Sequence, residues 1–228
     1  HMKRIYSVLV ENRAGVLCDS GQRLETSRGT VDVALGDFNS DGDLDAILGT
    51  WQRYSQVWTN AGNGVFTYQN NALTTNQLRR TVIADFDGDG WLDALCVYDG
   101  NTSRLFLNSG VGNFSVSTYL GKTTAQDAAA GDFNGDGITD AAVLSSSNCV
   151  VWTNNGALGF SAGATIATGG ASLAVGNLDG DSDLDVVIAC SNGPVLFYAN
   201  TGGAFGATFA NSVTGSAGVV RLGDLDGD

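Results

Sequence analysis

The sequence predicts an all-β protein assembled from about five copies of one four-stranded unit. Three observations predict it: an Asp-rich nine-residue loop that recurs along the chain, an Asn-Gly marker that keeps the same spacing, and short β-prone runs between the two.

The loops read Asp37-Phe-Asn-Ser-Asp-Gly-Asp-Leu-Asp45, Asp85-Phe-Asp-Gly-Asp-Gly-Trp-Leu-Asp93, Asp132-Phe-Asn-Gly-Asp-Gly-Ile-Thr-Asp140 and Asn177-Leu-Asp-Gly-Asp-Ser-Asp-Leu-Asp185. A fifth begins with Asp224-Leu-Asp-Gly-Asp228, where the sequence stops. Successive starts are 48, 47, 45 and 47 residues apart, and a fixed period of this length signals a repeat architecture.

The second marker is an Asn followed by a Gly-containing turn and an aromatic residue. It recurs at Asn60–Phe66, Asn108–Phe114, Asn154–Phe160 and Asn200–Phe205, with a weaker copy at Asn12–Leu17. Asn and Gly tolerate the positive φ of tight turns, so each copy reads as a hairpin connection.

Four strands are predicted in the first full repeat: Val31–Phe38, Leu44–Trp51, Ser55–Asn60 and Gly64–Gln69. The Asp-rich loop joins the first two and the Asn-Gly turn joins the last two. Four antiparallel strands in about 47 residues is the size of a propeller blade. A solenoid of Asp/Gly nonapeptides would need a much shorter period. The composition agrees: 32 Gly and one Pro fit many tight turns between short strands.

The net charge of −13 is concentrated rather than diffuse. The five loops hold 18 of the 24 acidic residues, leaving six acids against eleven basic residues elsewhere. This acidity is suited to cations and opposes nucleic-acid binding. No stretch of 18 apolar residues is present to span a membrane as a helix. The only histidine is His1, in a His1-Met2 opening that reads as non-native, so Ser-His-Asp, Cys-His and His-ligated zinc chemistry are excluded.

The loop pattern suits calcium, which takes six to eight oxygen ligands. Asp or Asn at positions 1, 3 and 5 places three side-chain oxygens on one side of a curled backbone. Position 7 offers its carbonyl, and Gly at position 6 permits the sharp turn. An EF-hand would close with Glu at position 12. Here position 12 is Leu48, Cys96, Val143 or Ile188, and the closing acid stands at position 9 instead. The loop therefore leads into a strand, not a helix.

A D-x-[DN]-x-D-G-x-x-D loop on this period, between strands, resembles the integrin-α-like FG-GAP and VCBS repeat β-propeller family over essentially the whole chain. That resemblance implies side-chain ligands at positions 1, 3, 5 and 9 and a carbonyl ligand at 7. The first site would be Asp37, Asn39, Asp41, Asp43 (carbonyl) and Asp45. The second would be Asp85, Asp87, Asp89, Trp91 (carbonyl) and Asp93. The third would be Asp132, Asn134, Asp136, Ile138 (carbonyl) and Asp140. The fourth would be Asn177, Asp179, Asp181, Asp183 (carbonyl) and Asp185; it departs from the pattern with Asn at position 1 and Ser182 in place of the turn Gly, so a weaker site is expected. Asp224, Asp226 and Asp228 would be half of a fifth. The expected cofactor is Ca²⁺, about four to five ions, in a structural role that couples binding to folding.

Five markers and five loop starts imply one domain over residues 1–228 with a closure blade shared by the termini. Arg4–Glu11 reads as a third strand and Val219–Asp224 as a first strand. About one strand of that blade is missing, which a continuation of the chain or another copy would supply. Homo-oligomerisation through this blade is therefore an expectation.

The cysteines Cys18, Cys96, Cys149 and Cys190 fall in four different units and match no zinc spacing. Free thiols are expected, which is unusual outside the cell. Loops of modest affinity fill at extracellular calcium levels, and this favours an extracellular or cell-surface location. The functional expectation is a non-catalytic binding or adhesion module for a protein or carbohydrate ligand. Trp51, Arg53, Tyr54, Arg79, Arg80, Tyr98 and Arg104 are candidate contacts on the face opposite the metal loops. The alternatives are an assembly scaffold that joins through its open ends, or a non-catalytic part of a polysaccharide-processing enzyme. An enzyme is disfavoured because the acids outside the loops (Glu11, Asp19, Glu25, Asp32, Asp99 and Asp127) show no clustered pair in sequence.

Overall fold

The computed structural model describes residues 6–25, 29–51, 54–73, 77–191, 193–207 and 218–223. These form only strands and their connections, and every strand pairing is antiparallel. No helix is long and apolar enough to cross a membrane.

The chain opens with a hairpin, β1 (Tyr6–Arg13) and β2 (Val16–Glu25). A four-stranded sheet follows, in the order β3 (Thr30–Gly36), β4 (Asp45–Thr50), β5 (Gln56–Asn60) and β6 (Phe66–Ala72). These bounds match the four strands expected for the first repeat to within a few residues. The last sheet has the same form: β13 (Ser172–Gly176), β14 (Asp185–Ala189), β15 (Val195–Thr201) and β16 (Ala204–Ala207) come after the middle of the chain.

The middle is one six-stranded sheet of β7 (Leu78–Ala84), β8 (Asp93–Asn108), β9 (Phe114–Gly131), β10 (Asp140–Ser145), β11 (Cys149–Asn154) and β12 (Phe160–Ile166). It holds two repeats, because β8 and β9 each serve twice. Sixteen residues in one straight strand would span about 50 Å. Yet the Asn108 amide donates to the Asp93 carboxylate at 2.9 Å, so the two ends of β8 meet. The strand doubles back, with Gly100 at φ +69° between its arms. In β9 the first arm pairs with β8 and residues 125–131 pair with β10, carrying the chain from one unit to the next.

The second strand of each unit is the central one. β4, β10 and β14 are buried along their whole length, as is the first arm of β8. Each is an apolar run that starts at the last loop Asp, and neighbouring sheets cover both of its faces. The hydrophobic clusters lie between successive units. Phe38, Ile47 and Val57 of the first pack with Ala94, Cys96 and Phe114 of the second, and the pattern repeats at the next two junctions.

The first strands gather on the inside. β3, β7, the second arm of β9, β13 and Arg221 line one cavity of about 400 Å³. Here Arg80 sits between two carboxylates, with Nη1 at 3.3 Å from Asp32 and Nε at 3.6 Å from Asp127. Asp32 also accepts the Thr81 amide, Asp127 the Leu173 amide and the Ser172 hydroxyl the Val220 amide. Asp32 and Asp127 are 95 residues apart in sequence, and the fold brings both onto Arg80.

Two terminal expectations resolve differently. The third strand expected at Arg4–Glu11 is β1, displaced by two residues. The first strand expected at Val219–Asp224 is not a strand over residues 219–223, and Asp224, Asp226 and Asp228 lie outside the described residues. All four cysteines are free thiols. Burial pushes the Cys96 and Cys149 thiols up to about 12, so both are inert at neutral pH.

Candidate metal centres

Each of the four loops is pinned at its closing end by the position 9 Asp. Asp45, Asp93, Asp140 and Asp185 are all 0% exposed. One carboxylate oxygen accepts the amide of position 2, from Phe38, Phe86, Phe133 and Leu178, at 2.9, 3.0, 3.1 and 2.6 Å. The other accepts the amide of the marker Asn, from Asn60, Asn108, Asn154 and Asn200, at 2.7, 2.9, 2.7 and 2.9 Å. Burial raises the Asp93 carboxyl to about 6 and pushes Asp45 and Asp140 upward too, while the amide bonds pull the other way. Each oxygen keeps a second lone pair, so holding two amides leaves room for a cation.

The opening end curls around position 1. Asp37, Asp85 and Asp132 each accept the amide of the position 6 Gly, at 2.9, 2.9 and 2.8 Å. Gly42, Gly90 and Gly137 take φ of +90°, +90° and +84°, which is the sharp turn expected of them. Position 4 is left-handed as well, through Gly88, Gly135 and Gly180 and, in the first loop, through Ser40 at φ +60°. The sequence reading gave no role to that position.

The donor set is carboxylate and carboxamide oxygen, without sulfur or imidazole, and it suits a hard cation. In the second loop Asp85, Asp87 and Asp89 bring carboxylate oxygens within 4.8 Å of one another. Burial, together with Asp89 and Asp85 alongside, raises the Asp87 carboxyl. In the first and third loops position 3 is Asn. Asn39 and Asn134 donate to Asp41 and Asp136 at 2.9 and 3.0 Å, drawing positions 3 and 5 together without a third like charge. The fourth loop is different. Asn177 has one amide oxygen, which accepts the Gly180 amide, and Ser182 is held at φ +139°.

Position 7 turns its side chain onto the hairpin of its own unit. Trp91 lies so close to Gly110 that any Cβ there would collide with the indole, and Ile138 packs more loosely on Gly156, its Cδ1 3.2 Å from where a Cβ would lie. Asp183 instead accepts the Gly202 amide at 2.7 Å. This leaves the carbonyl of position 7 as its available donor to a cation.

The sequence match agrees with this geometry. Residues 37–96, 85–143 and 132–188 each match the FG-GAP-like repeat. The chain belongs to the FG-GAP-like repeat family. A comparison with curated proteins finds no match. Among solved structures, the FG-GAP repeats resemble BBS1N in its complex with ARL6DN, with a TM-score of 0.57 at 13% identity over 78% of this chain and 55% of that one. They also resemble a lectin of Agrocybe aegerita, solved for its specific recognition of non-reducing terminal N-acetylglucosamine, with a TM-score of 0.57 at 21% identity over 79% of this chain and 51% of that one. The chain spans about half the length of each.

The expected ligand contacts divide. Arg79 lies 4.7 Å over the Trp51 ring and pairs with Asp99 at 2.7 Å, and Tyr54 is exposed. Arg104 stacks over Tyr119 at 5.6 Å. Tyr98 is buried in the core and does not reach that face, and Arg80 is held by Asp32 and Asp127 at the cavity lined by the first strands. Arg53 lies outside the described residues.

Proposed function

We propose that residues 1–228 form a single β-propeller of about five blades that binds Ca²⁺ in its loops and serves, outside the cell or at its surface, as a non-catalytic module for a protein or carbohydrate ligand. The observation that carries the calcium reading is the convergence of Asp85, Asp87 and Asp89 in a loop whose frame recurs four times. The ion would be held by positions 1, 3, 5 and 9 and the position 7 carbonyl: in the second loop Asp85, Asp87, Asp89, Asp93 and Trp91. Ca²⁺ there would offset the repulsion among crowded carboxylates and brace the connection between the first two strands. The fourth loop would be weaker, and Asp224, Asp226 and Asp228 would contribute to a fifth.

Support for a binding role comes from the relatives, one solved in complex with a protein and the other recognising a sugar. The Trp51–Arg79–Asp99 cluster supplies an aromatic and charged surface of the kind such ligands use. Self-assembly through the ends is a second reading. Phe38, Phe86 and Phe133 are each covered by a hairpin Phe of the next unit, whereas the equivalent Leu178 is 37% exposed and Leu17 of the weak marker is 75% exposed.

Chelation tests the core of the proposal. The melting temperature is expected to fall by more than 10 °C in EDTA and to be restored by Ca²⁺ better than by Mg²⁺; an unchanged melt would refute it. A glycan array with and without chelator then separates carbohydrate recognition from a purely structural unit.

A further inference from the structure

We infer that the four loops fill cooperatively, because the side chains of the marker residues Asn108, Asn154 and Asn200 each tie their own metal loop to that of the preceding unit. The inference rests on the calcium reading above and adds a role for Asn108, Asn154 and Asn200 as positioning residues.

The geometry is the same at three junctions. The Asn108 side-chain amide donates to the Leu92 carbonyl of its own loop at 3.2 Å and to the Phe38 carbonyl of the previous loop at 2.8 Å. Asn154 spans Thr139 and Phe86 at 3.1 and 2.7 Å. Asn200 spans Leu184 and Phe133 at 3.2 and 2.8 Å. One NH₂ group has two hydrogens, and here they go to two different loops. All three Asn residues are buried.

The accepting carbonyls sit at informative places. Position 8 lies between ligand positions 7 and 9 of one loop, and position 2 lies between ligand positions 1 and 3 of the other. Fixing the position 2 peptide fixes how two ligand side chains face each other. The backbone of the same Asn is held by the position 9 Asp. A continuous hydrogen-bonded path therefore runs from Leu178 through Asp185 and Asn200 to Phe133, then through Asp140 and Asn154 to Phe86, and through Asp93 and Asn108 to Phe38. Ordering one loop around an ion removes part of the cost of ordering the next. That is a coupling free energy between sites, and it is reciprocal.

The second loop carries its own reporter, since Trp91 at position 7 can sensitise Tb³⁺ luminescence. Tb³⁺ titration of the whole chain is compared with the Asp136→Ala variant, which removes a proposed ligand from the exposed part of the third loop and leaves Asp140 and Asn154 in place. The Trp91 signal, assigned by its loss in Trp91→Leu, is expected to require about 5- to 10-fold more Tb³⁺ in Asp136→Ala. The same change in the fourth loop, Asp181→Ala, lies one junction further away and should shift it less. Adding Asn154→Ala to Asp136→Ala should produce a smaller shift than Asn154→Ala causes alone. A Trp91 titration unmoved by Asp136→Ala overturns the inference, as does an equal shift from Asp181→Ala, which would report general loosening. Absence of any Trp91-sensitised signal in the parent protein would instead defeat the calcium reading itself.

Discussion

The second and fourth loops share a frame and differ in what the frame presents. In both, a fully buried Asp accepts the position 2 amide and the marker Asn amide, and in both that Asn reaches back to the previous unit. The second loop adds three converging carboxylates, a Gly at the turn, and a position 2 Phe sealed by Phe160. The fourth has Asn177, a strained Ser182 and the half-exposed Leu178. Frame and ligand set are thus separable. Position 9 and the marker Asn build the fold, and positions 1 to 6 decide how well the cradle suits a cation.

The largest effect should come from breaking the frame. Asp93→Ala and Asp185→Ala each strand two amides, both buried for Asp93 and one of them part-buried for Asp185, at about 1–3 kcal/mol apiece. A loss of about 2–6 kcal/mol is expected for both by urea unfolding in EDTA, where metal cannot contribute. A mild Asp185→Ala would show that the fourth frame is weaker than its hydrogen bonds indicate. A smaller effect should come from repairing the fourth ligand set. Ser182→Gly relieves roughly 1 kcal/mol of backbone strain, and with Asn177→Asp it should raise the calcium affinity of that loop on the order of tenfold by restoring charge. Calorimetry that finds no stronger site would mean that Leu178 exposure, not loop chemistry, limits it.

The last effect is in pH. Without metal the folded Asp93 carboxyl titrates near 6, against 3.8 in the unfolded chain, so the unfolded state gives up its proton first. The chelated protein should then lose stability as pH rises from about 4 to about 6, with Asp45 and Asp140 adding in the same direction. Denaturant midpoints across that range check the sign. A rise with pH would mean that other carboxylates outweigh these three.

Much of the fold was legible because its signals are local. The period placed the loops, the apolar run after each position 9 Asp marked the buried second strands, and the position 6 glycines take the positive φ assigned to them. The marker Asn was legible only in part. Asn60, Asn108 and Asn154 end strands and Asn200 is the last residue but one of its strand, while the positive φ belongs to the glycines two residues on. A hint of their other role was present in their distance from position 9, which is 15, 15, 14 and 15 residues. The Arg80 contacts with Asp32 and Asp127 keep the same period, each residue lying five positions before a loop start, but Asp, Arg and Asp share no chemistry that would mark the position as a repeat.

By itself, then, the sequence determined the unit: its loop, its turn, its strands and the oxygen-bearing side chains of each loop, all set by chemistry within about 25 residues. Only the tertiary structure decided how units meet. The Asn clamps join carbonyls 67 to 70 residues away, and the Phe38–Phe114, Phe86–Phe160 and Phe133–Phe205 pairs seal the same junctions. Those contacts depend on one sheet stacking against the next, which no spacing within a single unit encodes.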